Sequence, residues 1–165
     1  MNQIAKLSLI FNSRLGWNKA RADLSACFII ALLKIRTVNL ARIAVAMPGK
    51  AKKDSKYKRL QRFFAKFEFV MDDIAKLIVR FLPPDDQKWD LSMDRTNWKL
   101  GKSNINPLVL GIIFMGVAFP ILWTTFSKRG NSSMDERIEL MMRFIKIFGV
   151  DKIRCLFGDR EFIGG

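Results

Sequence analysis

The chain has 165 residues, with 29 Lys and Arg against 15 Asp and Glu, a formal net charge of +14, two cysteines and no histidine. The lack of histidine excludes Ser-His-Asp and Cys-His catalysis and any histidine metal ligand, and two cysteines cannot complete a four-ligand structural zinc site. Hydrophobic residues make up 50% of the chain, which is enough to bury a core in one ordinary domain or two small ones. Because the chain has no histidine and only two cysteines, carboxylates, hydroxyls, lysines and arginines must carry any reaction.

The N-terminal part of the sequence has helical spacing of its apolar residues. Residues 24–35 form a dense apolar run that predicts a buried helix, and residues 38–47 predict a second, short helix ended by Pro48-Gly49. An amphipathic helix is expected from Ser55 onward, and residues 69–81 predict a further helix.

Positive charge is concentrated between Lys50 and Lys66, where eight Lys and Arg residues accompany one acid, Asp54. A solvated helix face usually mixes both signs, so this segment favours binding to a polyanion, and an ordinary solvated face is the alternative. A helix, a Pro-Gly turn and a basic helix can present side chains to DNA, although spacing alone does not establish that motif. The expected DNA-contacting residues are Lys50, Lys52, Lys53, Lys56, Lys58, Arg59, Arg62 and Lys66.

The sequence period changes after Pro83-Pro84-Asp85-Asp86, which predicts a domain boundary. Residues 88–94 alternate apolar and polar side chains, as a strand does. The 25 positions from 103 to 127 carry no charge, and they predict two buried strands, 107–115 and 117–126. A membrane span is the alternative for this run, but its glycines, its proline and its β-branched and aromatic content favour strands.

The rest of the second half predicts a helix over residues 135–148 and a last strand over residues 152–157. Asp94 ends the first strand, and Asp159 follows the last one. A right-handed crossover through the helix would return the last strand parallel to and beside the first. Both aspartates would then lie at the same edge of the sheet, where α/β sheets bind ligands.

Two carboxylates brought close together repel each other unless a cation lies between them. An oxygen-only site without histidine suits Mg²⁺ or Mn²⁺, and such a site can support in-line displacement at the phosphorus of a phosphodiester. The capping of a turn by each aspartate is the alternative. Spacing alone does not decide between the two interpretations.

The residues around both aspartates resemble motifs of a known family. Ser92-Met93-Asp94-Arg95-Thr96-Asn97-Trp98, followed by residues 99–102, and Gly158-Asp159-Arg160-Glu161-Phe162-Ile163-Gly164 are similar to the two aspartate motifs of DDE transposases of the insertion-sequence-four type. Residues 37–67 also resemble the N-terminal part of that group. The occurrence of both aspartate motifs in order is more specific than either motif alone.

The resemblance implies an α+β protein with a helical DNA-binding region, residues 1–85, and an incomplete ribonuclease-H-like α/β domain, residues 86–165, of order β-β-β-α-β. It implies that Asp94 and Asp159 are catalytic and hold Mg²⁺ or Mn²⁺. The family also needs a glutamate on a downstream helix, and Glu161 is too close to Asp159 to be that residue. We therefore expect this chain, taken alone, to cleave DNA poorly or not at all.

The implied function is DNA transposition, with binding of transposon ends followed by phosphodiester cleavage and strand transfer. Arg95 and Arg160 would either contact DNA phosphates or pair with the neighbouring aspartates. The expected partner is double-stranded DNA at transposon ends and target, with a homodimer or a complex with full-length transposase as the protein alternatives. No membrane is expected, and the location would be cytoplasmic, at the nucleoid. The alternative function is that of a non-catalytic DNA-binding regulator or inhibitor of the full-length transposase.

Overall fold

A computed structural model describes residues 2–82, 88–127 and 132–159, and within them the chain is α+β, with six helices and a mixed sheet of five strands. The helices are α1 (Gln3–Leu15), α2 (Lys19–Ile35), α3 (Leu40–Ala46), α4 (Lys53–Lys66), α5 (Met71–Val79) and α6 (Met134–Phe148). The strands are β1 (Trp89–Arg95), β2 (Trp98–Leu100), β3 (Ser103–Phe114), β4 (Val117–Phe126) and β5 (Ile153–Gly158).

The chain divides into two compact units, residues 1–69 and residues 70–165. The sequence pattern instead suggested a division at Pro83-Pro84-Asp85-Asp86, which lies outside the described residues. The observed division falls before α5 because Ala75 and Val79 of that helix belong to the buried core of the second unit.

The first unit contains α1 to α4, and its core is built by α2, α3 and α4. Leu24 from α2, Ile43 and Ala44 from α3 and Leu60 from α4 pack together, and the last three are completely buried. The axes of α2 and α3 meet at 100°. This bend lets three short apolar faces converge on one core.

Helix caps set where the first three helices begin. The Asn2 and Asn18 side chains accept hydrogen bonds from the backbone N–H groups of Ala5 and Arg21, and Asn39 caps α3 in the same way. Asparagine is among the best N-cap residues because its side-chain oxygen satisfies an unpaired backbone donor. As a result α2 begins at Lys19, earlier than the apolar run that predicted it.

The sheet of the second unit has the strand order β2-β3-β1-β5, with β4 on the other side of β3. Strand β3 pairs antiparallel with both β1 and β4. Strand β2 also pairs antiparallel with β3, at the residues that precede the segment paired with β1. The two strands predicted for the uncharged run are confirmed as β3 and β4, which join at Met115-Gly116. Their predicted burial holds for the middle of β3 but is wrong for the first four residues of β4, which are exposed. The short strand β2 was not predicted.

The helix predicted over residues 135–148 is confirmed as α6. Ser133 caps it and forms a reciprocal capping box with Glu136, and Gly149, with a φ of 94°, follows its last residue. Leu140 and Phe144 of α6 are buried against the apolar face of the sheet. In this way α6 connects β4 to the returning strand β5.

Within the described ranges, no single helix is both long enough and apolar enough to cross a membrane. The bent pair of α2 and α3 meets the criteria of length and composition when its two helices are taken together. Two core residues of the first unit, Leu24 and Ile43, come from this pair.

Candidate carboxylate edge and basic helix

Strand β5 returns parallel to β1 and pairs with it directly, as the sequence predicted. The pairing runs from Trp89 and Ile153 to Met93 and Gly158. Asp94 and Asp159 are the residues that follow the last pair, so the two carboxylate-bearing residues lie at the same end of neighbouring strands. We call these two residues the carboxylate edge.

An ion pair holds β5 against β1 near the opposite end of the ladder. Arg154 Nε donates to Asp90 Oδ1 at 2.7 Å, and Arg154 Nη2 donates to Asp90 Oδ2. These hydrogen bonds are the main reason that the pKa of Asp90 lies below its usual value. The ladder shifts register between Trp89 and Asp90, so the ion pair spans the irregular part of the pairing.

The side chains at the carboxylate edge are exposed. The Asp94 Oδ1 atom accepts a hydrogen bond from the Arg95 backbone N–H at 2.7 Å. The Arg95 guanidinium donates to Asn97 Oδ1 at 3.1 Å, which uses part of its donor set beside Asp94. Both roles considered for Arg95, phosphate contact and pairing with an aspartate, stay open.

A groove of 540 Å³ lies next to Asp159, between β5 and α6. The first turn of α6 lies beside the end of β5 there, because a helix that connects parallel strands runs back along them. Arg137 of this turn lines the groove together with Asp159 and Met93. Arg137 was not predicted from the sequence, although the crossover rule places the start of α6 near the same edge.

The donor set of the carboxylate edge fits a hard cation in its chemistry. Asp94 and Asp159 offer only oxygen ligands, the type that Mg²⁺ and Mn²⁺ prefer. Among residues 2–82, 88–127 and 132–159, no group of three or more Asp, Glu, Cys or His residues is arranged to hold a metal ion. Arg160, predicted to contact DNA, and Glu161 lie outside the described residues.

In the first unit, α4 presents most of the predicted DNA-contacting residues to solvent. Leu60 faces the core and is completely buried. Seven of the eight predicted cations are exposed. The exposed cations are Lys50, Lys52, Lys53, Lys58, Arg59, Arg62 and Lys66.

Lys56 differs from the other seven cations. Its Nζ atom donates to the Met47 backbone oxygen at 2.7 Å, in a partly buried position. This hydrogen bond satisfies a carbonyl at the end of α3 and closes the turn between α3 and α4. Lys56 therefore helps to position α4.

No family model, curated protein or solved structure matches this chain. Residue types, and the positions that the fold gives them, are consequently the basis for assigning a function. In the second unit the relevant feature is the carboxylate edge. In the first unit it is the row of exposed cations on and before α4.

Proposed function

We propose that the chain is a DNA-binding protein of the DDE transposase type, with a ribonuclease-H-like second unit. The observation that carries this proposal is the parallel pairing of β1 with β5, which brings Asp94 and Asp159 to one end of neighbouring strands. In the proposed function, transposon-end DNA is the substrate, and the reaction is transfer at a phosphodiester.

The order of elements in the second unit supports this proposal. Three antiparallel strands, β1, β3 and β4, precede α6, and β5 then pairs with β1. This is the β-β-β-α-β order that the resemblance implies, with β2 as a short continuation of β1 along β3.

The carboxylate edge would hold Mg²⁺ or Mn²⁺ through the oxygens of Asp94 and Asp159. When bound, such an ion supplies Lewis acidity at phosphorus and lowers the pKa of a coordinated water molecule. Arg137, in the adjacent groove, would attract the negatively charged phosphodiester toward this edge. The exposed position of both aspartates leaves the edge accessible to a long substrate such as DNA.

The basic residues of α4 support the DNA-binding part of the proposal. Lys58, Arg59 and Arg62 lie on the exposed side of a helix whose opposite side carries the buried Leu60. Cations on one side of a rigid helix neutralise several phosphates at once and release their counterions.

Titration of Mn²⁺ by calorimetry tests the metal-binding part. We expect Asp94→Asn and Asp159→Asn each to weaken Mn²⁺ binding at least about tenfold, because each removes a charged ligand. Glu139→Gln, an exposed carboxylate of α6, is the matched control and should bind as the original chain does. Unchanged Mn²⁺ affinity in both aspartate variants would refute the metal site.

A DNA-binding regulator without catalysis is the second candidate. It is favoured by the location of the basic helix, which belongs to a different compact unit from the aspartates. In this case DNA binding would be the same with and without Mg²⁺ and would survive Asp94→Asn and Asp159→Asn. Loss of DNA binding on removal of Mg²⁺ would favour the enzyme instead.

A further inference from the structure

A small cleft of 320 Å³ lies between α2 and α4 in the first unit. Half of its eight lining residues are cations. The lining residues are Ala20, Arg21, Leu24, Arg59, Arg62, Phe63, Lys66 and Phe67. Among these residues there is no carboxylate, so the cleft gathers four positive charges without a negative one.

The cations of the cleft come from two helices. Arg59, Arg62 and Lys66 repeat at intervals of three and four residues, which places them along one side of α4. Arg21 comes from α2. A basic helix by itself therefore does not form this site, which depends on the packing of α2 against the core that it shares with α4.

Arg21 is held in place by an aromatic ring. Its guanidinium carbon lies 4.9 Å from the centre of the Phe67 ring, within the range of a cation–π interaction. The Phe67 ring is fixed in turn, because it stacks on Phe63 and meets Trp17 edge to face. Arg21 is therefore restrained beside the cleft, where its side chain is exposed to solvent.

The arginines of α4 are oriented by backbone oxygens. Arg59 Nη2 donates to the Ala20 oxygen at 3.4 Å, and Arg62 Nε donates to the Lys58 oxygen at 3.3 Å. A guanidinium has five N–H donors, so each arginine keeps donors for a ligand. Within the described part of the chain, none of the four cations pairs with a carboxylate.

We propose that this cleft binds a backbone phosphate of duplex DNA without regard to base sequence, with Arg21 as a principal contact. This inference rests on the proposed DNA binding and adds a site that includes α2. Guanidinium groups match the geometry of phosphate oxygens and form charge-assisted hydrogen bonds with them. A phosphate would also relieve the mutual repulsion of four neighbouring cations.

The test is fluorescence anisotropy of the full chain with a short labelled duplex of arbitrary sequence, at salt concentrations from about 50 to 200 mM. Arg21→Gln should weaken binding about tenfold at the lowest salt, and it should reduce the slope of log affinity against log salt by about 0.9. Lys34→Gln is the matched control, because Lys34 is an exposed cation of α2 outside the cleft. This control should change affinity less than about twofold.

Arg62→Gln is a second variant, and it leaves the contact between Arg21 and Phe67 in place. We expect a similar loss of affinity, and the double variant should change the slope by no more than about 0.9, because both arginines contact the same phosphate. Far-UV circular dichroism and thermal unfolding report whether each variant is folded. If Arg21→Gln unfolds the first unit, Arg62→Gln alone decides the outcome.

These measurements distinguish failure of the cleft proposal from failure of the proposed DNA binding. If the original chain binds DNA and both cleft variants behave like Lys34→Gln, the cleft proposal is wrong and the proposed function stands. If the original chain binds no duplex at any salt concentration, the proposed DNA binding fails and the cleft proposal fails with it. The measurement is repeated with a second duplex of unrelated sequence, and a loss confined to one of the two duplexes would contradict backbone recognition.

Discussion

Arg143 of α6 donates two hydrogen bonds to one carboxylate oxygen of Asp72 on α5, at 2.8 Å from Nε and 2.6 Å from Nη2. The two residues are 71 positions apart in the sequence. Both side chains are partly exposed, 32% for Arg143 and 42% for Asp72. The ion pair joins α5 to α6 and adds to the burial of Ala75 and Val79, which places α5 in the second unit.

Asp72→Asn should therefore lower the free energy of unfolding of the second unit, by about 1 kcal/mol or less because solvent screens the pair. Asp73→Asn is the matched control, since Asp73 lies in the same helical turn and pairs with Lys76 at 3.4 Å in a more exposed position. The control substitution should lower the free energy of unfolding by only about 0.3 kcal/mol. Urea unfolding measures both values, and equal losses would show that the Arg143 contact adds nothing specific.

The Arg154–Asp90 pair predicts a dependence of stability on acid pH. Hydrogen bonds from Arg154 lower the pKa of Asp90 in the folded state, whereas in the unfolded chain it returns to about 4. A lowered folded pKa means that the stabilisation is complete above the unfolded pKa and is lost as pH falls through the folded pKa. The stability difference between the original chain and Arg154→Gln should accordingly be present at neutral pH and disappear in acid.

Carbon NMR of the Asp90 carboxyl group measures the pKa shift directly. In Arg154→Gln the pKa of Asp90 should rise toward its usual value, because the side-chain hydrogen bond is the largest contribution. Lys152→Gln is a useful control, since Lys152 is a nearby cation that lies over the Trp89 ring. An Asp90 pKa that is the same in the original chain and in Arg154→Gln would refute the assignment.

Leu60 anchors the basic helix to the core of the first unit. Leu60→Ala should lower the free energy of unfolding by about 2–5 kcal/mol, because the side chain is completely buried and its removal leaves a cavity. Val45→Ala, at a position that is 61% exposed, should change stability by less than about 0.5 kcal/mol. Thermal unfolding of both variants provides the comparison. A small effect at Leu60 would mean that α4 is not anchored there.

Gly111 lies where β3 and β4 change register. A Cβ atom at this position would lie 2.9 Å from the Phe119 backbone oxygen, which is closer than normal contact. Gly111→Ala should therefore destabilise the second unit by about 1–3 kcal/mol. Ser103→Ala, at the exposed start of β3, serves as the comparison in chemical denaturation. Equal stability of the two variants would show that β4 moves without cost.

The sequence predicts the elements of the second unit well because their patterns are local. Trp89, Leu91 and Met93 alternate with polar residues and are all buried, so β1 was predictable. Strand β2 was missed because its three residues, Trp98 to Leu100, alternate over too short a run to indicate a strand. Its pairing with β3 is a tertiary feature. Single caps such as Asn18 were also missed, since they lie outside the apolar period.

The candidate sites could be predicted only in part. The parallel return of β5 follows from the handedness of crossovers, so the joint position of Asp94 and Asp159 could be inferred before the structure was known. Arg137 and Arg21 could not be inferred from a motif. Each lies on a helix that no functional pattern marks, and only tertiary packing brings it beside the groove or the cleft.

Strand β5 has a consequence for the behaviour of the protein in concentrated solution. In the described sheet it pairs on one side only, and its Leu156 and Phe157 are 43% and 51% exposed. Open strand edges with apolar side chains promote aggregation, which nearby charges such as Arg154 oppose. Added salt screens the repulsion between molecules of net charge +14. A high salt concentration during purification would thus favour self-association through this edge.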